Sequence, residues 1–154
     1  MKAYLEFHPF MLLGLLFSTL PSFALSSDIQ KAEAYFQQGL VHFDAKEYDA
    51  ALPAYQKAIE LAPMNATYHH MLGKCYGRLA EQGSWFTALR YVRFTLTEFK
   101  KAVELDASNL QAWRDLEEIY RRAPGFLGGD KKKALEIRKY LDEIEPSESA
   151  MASE

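Results

Sequence analysis

His69 and His70 lie side by side a short way ahead of Cys75, and with His42 they are the side chains best equipped for metal binding or proton transfer. Two metal ligands on one helix face need the spacing i, i+4. His69, His70 and Cys75 do not have it, so a zinc site is not expected. The fourth histidine, His8, falls in an apolar leader. Cys75 is the only cysteine, which excludes an internal disulfide, and it reads as a small buried apolar residue. His42 and His69 read as packing residues, and His70 as facing inward. The sequence contains no Gly-x-Ser-x-Gly, phosphate-loop or dinucleotide-binding pattern. Catalysis needs titratable groups that converge on a pocket. None is visible in the sequence, so neither an enzyme nor a cofactor is expected.

One segment, APGFLGGD (Ala123 to Asp130), has two readings. Gly125, Gly128 and Gly129 can shape a backbone nest for an anion, with Lys131 to Lys133 following at a helix N-terminus. The structural reading assigns every residue a folding role. Pro124 stops one helix, the glycines supply positive φ, Phe126 and Leu127 plug the core, and Asp130 caps the next helix.

The elements that hold these groups are helical. With 49% apolar and 25% charged residues among 154, the chain has the material for one compact domain. A formal net charge of -3 excludes bulk electrostatic attraction to nucleic acid. The stretch from Phe10 to Leu20, FMLLGLLFSTL, is uncharged. It is shorter than the roughly 20 residues that cross a bilayer comfortably. Ser22-Phe23-Ala24 fits a signal-peptidase site with cleavage after Ala24, and a second register cuts after Ser26. Residues 1–24 are therefore expected to be a cleaved leader. The mature protein is then exported, periplasmic or secreted, with no stable membrane span. Residues 25–31 are expected to be a linker.

A period of thirty-four follows, the length of one helix-turn-helix repeat. From Ala32 to Phe43 apolar residues recur at three and four, the mark of an amphipathic helix. A second helix opens near Asp49, with Leu52, Tyr55 and Ile59 on one stripe and Pro53 tolerated in its early turns. Residues 32–65 closely resemble a tetratricopeptide repeat. Tyr35 stands where that pattern has Trp, Gly39 is its close-approach residue, Ala51, Tyr55 and Ala58 are its packing residues, and Pro63 ends it.

Residues 66–109 form a second unit around Leu72, Gly73 and Tyr76, ten residues longer than the first. Ser84 is an N-cap, and Trp85, Leu89, Val92, Leu96, Phe99 and Val103 make one continuous stripe. That predicts a helix of about six turns, twice the usual length. Residues 110–146 form a third unit, with Trp113, Leu116, Ile119 and Tyr120 on its first helix. Ala134, Ile137, Leu141 and Ile144 lie on its last, whose charged remainder closes the stack. Residues 147–154 are a short polar, flexible tail. The expected fold is all-α, a right-handed α-solenoid of about three tetratricopeptide helix pairs, the second with an extended second helix. The segments AEQGSWF and APGFLGG also resemble a group of small exported bacterial repeat proteins.

The resemblance implies ligand binding on the concave face, formed by the first helix of each pair. It places Phe36, Leu40 and Phe43 there from the first unit, His70, Lys74 and Arg78 from the second, and Arg114 and Arg121 from the third, with Glu33, Glu118 and Arg122 beside them. One end is then apolar and the other basic, which suits a protein or peptide with acidic groups. The other reading leaves the arginines solvated and the phenylalanines covered. The carboxylate clamp that grips chaperone tails in this family does not transfer, because Phe36, Leu40, Met71 and Asp115 stand where it needs Lys, Asn, Asn and Arg. The expected function is a protein-interaction module outside the cytoplasm. The alternative is a periplasmic small-solute carrier in an uptake system. An open groove favours the first and a closed cavity the second.

Overall fold

The computed structural model describes residues 20–144; residues 1–19, most of the expected leader, and 145–154, with the expected tail, lie outside the described residues. The described chain is all-helical. In order it runs α1 (Leu20–Asp44), α2 (Tyr48–Leu61), α3 (Ala66–Gln82), α4 (Trp85–Leu105), α5 (Leu110–Arg122), a 3-10 turn (Gly125–Leu127) and α6 (Lys131–Ile144). Each helix packs chiefly on its pair partner, α1 on α2, α3 on α4 and α5 on α6, and then on the next helix along the chain. This is a solenoid of three helix pairs.

The expected linker is a correction. Residues 25–31 are the early turns of α1. No glycine or proline follows until Gly39, and Asp28 pairs with Lys31 at i, i+3. Nothing in that stretch stops a helix.

The turns are built from local polar groups. Between α1 and α2, Lys46 takes a φ of 62°, and the amides of Lys46 and Glu47 donate back to Phe43 and His42. Asn65 caps α3 by accepting from the amides of Thr67 and Tyr68, and Asn109 caps α5 by accepting from that of Ala112. Ser84 occupies the cap of α4, with its hydroxyl 3.0 Å from that of Thr87.

Close approach within each pair explains the small residues. A Cβ on Gly39 would lie 2.6 Å from the Tyr55 ring, and one on Gly73 2.6 Å from the Phe99 ring. Gly77 has no such constraint, its nearest atoms being those of Thr95 at 3.9 Å.

The core divides in two. The first part joins α1, α2 and α3 around Phe36, Tyr55, Tyr68, Leu72, Cys75 and Tyr76. The second joins the C-terminal half of α4 to α5 and α6 around Leu96, Phe99, Val103, Leu116 and Ile137. Two buried histidine–carboxylate pairs tie the halves together. His69 Nδ1 lies 2.7 Å from Glu98 of α4, and His70 Nε2 lies 2.7 Å from Asp115 of α5.

The stripe of α4 has the expected length, but its first residue is exposed: Trp85 is 61% accessible. On α6, Ala134 and Ile137 are buried, whereas Ile144, expected on the same stripe, is exposed.

Candidate functional site

The length mismatch between α4 and its neighbours makes a groove. α4 has 21 residues, whereas α5 has 13 and ends before Pro124. The first turns of α4 therefore have no complete partner helix in the third pair. A cavity of about 440 Å³, open to solvent, lies between α3, α4 and α5. Ala88, Val92, Thr95 and Phe99 of α4, with Ile119 of α5, give it an apolar floor. Its rim carries Lys74, Arg78 and Glu81 from α3, and Asp115, Glu118 and Arg122 from α5.

The rim is mixed in charge. Arg78 pairs with Glu81 at 2.9 Å and Arg122 with Glu118 at 2.8 Å, both on exposed surface. Asp115 accepts from His70 and from Gln111. Burial raises its carboxyl pKa, but these hydrogen bonds outweigh that, and the pKa lies below the ordinary aspartate value. Asp115 is thus an ionised wall of the groove, and Lys74 lies with its ammonium 6.0 Å from the centre of the Phe43 ring.

The residues assigned to the concave face separate into three sets. Lys74 and Arg78 stand at the groove. Phe36 and His70 are 7% exposed and belong to the core: Phe36 stacks on Tyr68 at 4.6 Å, and His70 is held by Asp115. Leu40 and Phe43 are partly buried against the same core. Tyr68 of α3 covers what an isolated α1 would have presented as an apolar patch. Arg114 and Arg121 lie on the other side of α5, in a separate cleft with Glu117, Arg138, Leu141 and Asp142. The groove face of α5 is Asp115, Glu118, Ile119 and Arg122, a run at three- and four-residue spacing offset by about 100° from the Arg114 face. The basic stripe read along the first helices is therefore split between two faces. Val92 and Thr95 of α4 were missed because they lie on a second helix; the shortness of α5 beside the α4 stripe was the available signal.

The loop after α5 is structural in its geometry. The amides of Gly128 and Gly129 donate to the carbonyls of Gly125 and Pro124, so neither points at an outside anion. Gly128 has a φ of +96° and sits against Leu96, and a Cβ on Gly129 would lie 1.8 Å from the carbonyl oxygen of Ala123. Asp130 caps α6 by accepting from the amides of Lys132 and Lys133. Leu127 is buried as expected, but Phe126 is not: it is 64% exposed. The 3-10 turn can aim only one of the two adjacent side chains inward. Cys75 is buried and its thiol donates to the Tyr48 carbonyl; burial pushes its pKa up to about 12. No group of three His, Cys, Asp or Glu side chains among the described residues is arranged to hold a metal ion.

Paired helices in a stack, joined by small residues at the crossings and open along one groove, define an α-solenoid, and residues 32–65 match the tetratricopeptide-repeat family model. The chain is similar to tetratricopeptide repeat protein 37 of Xenopus laevis, at 32% identity over 120 residues; the match covers 76% of this chain and 7% of that protein's length. Among solved structures, the tetratricopeptide-repeat domain of Arabidopsis OM64 gives a TM-score of 0.60 at 19% identity, covering 77% of this chain and 86% of that one. The MamA protein gives 0.60 at 22% identity, covering 85% and 67%. At these identities the structural likeness is one of fold.

Proposed function

We propose that the chain is a protein-interaction module that works outside the cytoplasm and holds a peptide or protein segment in the groove between α3, α4 and α5. The observation that carries this reading is the open cavity with an apolar floor and a rim of exchangeable ion pairs. Exposed pairs such as Arg78–Glu81 contribute little to stability, so a partner's carboxylate can replace Glu81 at small cost. Val92, Phe99 and Ile119 then take apolar side chains of the same segment. The groove's openness along its length suits an extended chain better than an enclosed solute.

The test is a pull-down of the protein from its native envelope, followed by titration of the captured partner. Arg78→Glu with Arg122→Glu is expected to weaken binding at least about tenfold, more at low salt than at high. Melting should hardly move. Arg114→Glu, on the other side of α5, is expected to bind as wild type. Equal loss with Arg114→Glu would move the site to the α5–α6 cleft.

Export rests on the apolar leader and the Ser22-Phe23-Ala24 site. Cleavage there leaves the α1 core residues Ala32 and Phe36 in the mature chain. N-terminal sequencing of the mature protein is expected to read from Leu25; recovery of Met1 would refute both cleavage and the exported, span-free reading.

A further inference from the structure

Three aromatic rings stand in solvent at one corner of the molecule. Trp85 is 61% exposed, Phe86 80% and Phe126 64%, and the Trp85 and Phe126 rings meet with centroids 6.2 Å apart. They come from the first turn of α4 and from the 3-10 turn, two elements that the fold brings together. Soluble proteins seldom leave several large rings contiguous and bare without a use.

The outer face of α4 continues from this corner as a line of cations. Phe86, Arg90, Arg93, Thr97 and Lys100 follow one another at four, three, four and three residues, which puts them on a single stripe, and all five are exposed. The only carboxylate between Phe86 and Lys100 is Glu98, and it turns inward to His69. The Arg90 guanidinium lies 5.1 Å from the centre of the Tyr91 ring. Neither Arg90, Arg93 nor Lys100 has a carboxylate partner among the described residues. Arg78, Arg121, Arg122 and Arg138 each do.

We propose that this face docks on an anionic phospholipid surface, with Trp85, Phe86 and Phe126 entering the headgroup layer and Arg90, Arg93 and Lys100 lying over the phosphates. Rings that project from a corner have no pocket of their own to fill, but they fit an interface that is apolar on one side and wet on the other. A line of unpaired cations repels the same face of a second copy, whereas a fluid anionic surface meets every cation of the stripe at once. Each basic residue held near such a surface raises affinity about fivefold. The groove is lined by Ala88, Val92, Thr95 and Phe99, on the side of α4 away from Arg90 and Arg93, and Trp85 stands at the near end of that lining, one turn before Ala88. Docking through the cation stripe keeps Val92, Thr95 and Phe99 turned from the phosphates, and the protein can present its partner at a membrane surface.

The test uses the full chain with vesicles of phosphatidylcholine alone and vesicles in which phosphatidylglycerol replaces about a third of it. The apolar leader partitions into both, so the readout is the ratio of the two affinities. Wild type is expected to prefer the anionic vesicles at least about tenfold at low salt, with a blue shift of tryptophan emission that Trp85→Phe lacks. Arg90→Glu with Arg93→Glu should bring the ratio to near one, with circular dichroism and melting unchanged and groove binding intact. A ratio that survives the reversals overturns the proposal, as does a Trp85 emission that ignores the vesicles. Self-association that buries Trp85 without lipid also overturns it, and assigns the face to a second copy or another protein.

Discussion

Gly73→Leu is expected to lower the free energy of unfolding by about 3 kcal/mol, the upper end of what overpacking a tight seam costs. A Cβ alone at this position meets the Phe99 ring at 2.6 Å and the Glu98 side chain at 3.3 Å, and the rest of a leucine has no free volume. Phe99 cannot yield easily, because it is 5% exposed and its other side packs in the second half of the core. Pushing it away also loosens Glu98 from His69. Gly77→Ala, one turn along the same helix, is the control. Its Cβ has ordinary room, and replacing a mid-helix glycine is worth about 0.5–1 kcal/mol in favour of the helix. Chemical denaturation should thus give a lower midpoint for Gly73→Leu and an unchanged or higher one for Gly77→Ala. Equal midpoints for the two variants would contradict the packing described for α3 on α4.

His69→Gln is expected to cost about 3 kcal/mol near pH 6 and to remove a loss of stability on the alkaline side. The imidazole meets an acceptor on both edges: Glu98 at 2.7 Å from Nδ1 and the carbonyl of Pro63 at 2.9 Å from Nε2. Only the doubly protonated ring satisfies both. Burial works against that charge, but the hydrogen bonds to Glu98 and Pro63 and the charge of Glu98 outweigh it, and the pKa is raised above the ordinary 6.5. A histidine whose pKa is higher in the folded state stabilises fully below its unfolded value and loses that contribution as pH rises through the folded one. Asp115 works in the opposite sense. Its depressed pKa stabilises above the unfolded value of about 3.8 and is lost as pH falls through the folded one. Maximum stability from these two groups therefore lies between about pH 4 and 6.5. Denaturation midpoints taken across pH 4 to about 9 should fall above neutrality in wild type and stay flat there in His69→Gln. An alkaline slope that persists in the variant would assign it to another group.

Some of this was legible from the residues alone. The spacing of Gly39, Tyr55 and Ala58, and of Gly73 and Phe99, fixes which helix faces cross, because a helix repeats every 3.6 residues and a glycine among apolar neighbours marks a close approach. The long α4 followed from twenty-one residues without glycine or proline. Asp130 as a cap followed from its place ahead of a lysine-rich helix start. In all of these a local pattern acts through neighbours a few residues away.

What the residues could not decide depends on groups far apart in the chain. Phe36 looked like a groove ring because α1 alone exposes it, and Tyr55 of α2 and Tyr68, thirty-two positions on, cover it. His69 stands where the repeat has tryptophan, and what raises its pKa against burial is the hydrogen bond to Glu98, twenty-nine positions on. Arg114 and Arg121 share a helix with Arg122, yet one face of α5 opens on the groove and the other on α6; that choice is set by the rotation of α5 against α4, which a periodic sequence leaves free. The corner of Trp85, Phe86 and Phe126 joins residues some forty positions apart. Sequence determined the helices, their crossings and the solenoid, since those follow from short-range periodicity. Tertiary structure decided which side chains are buried and which form a surface, because burial is a property of the neighbour that arrives from elsewhere in the chain.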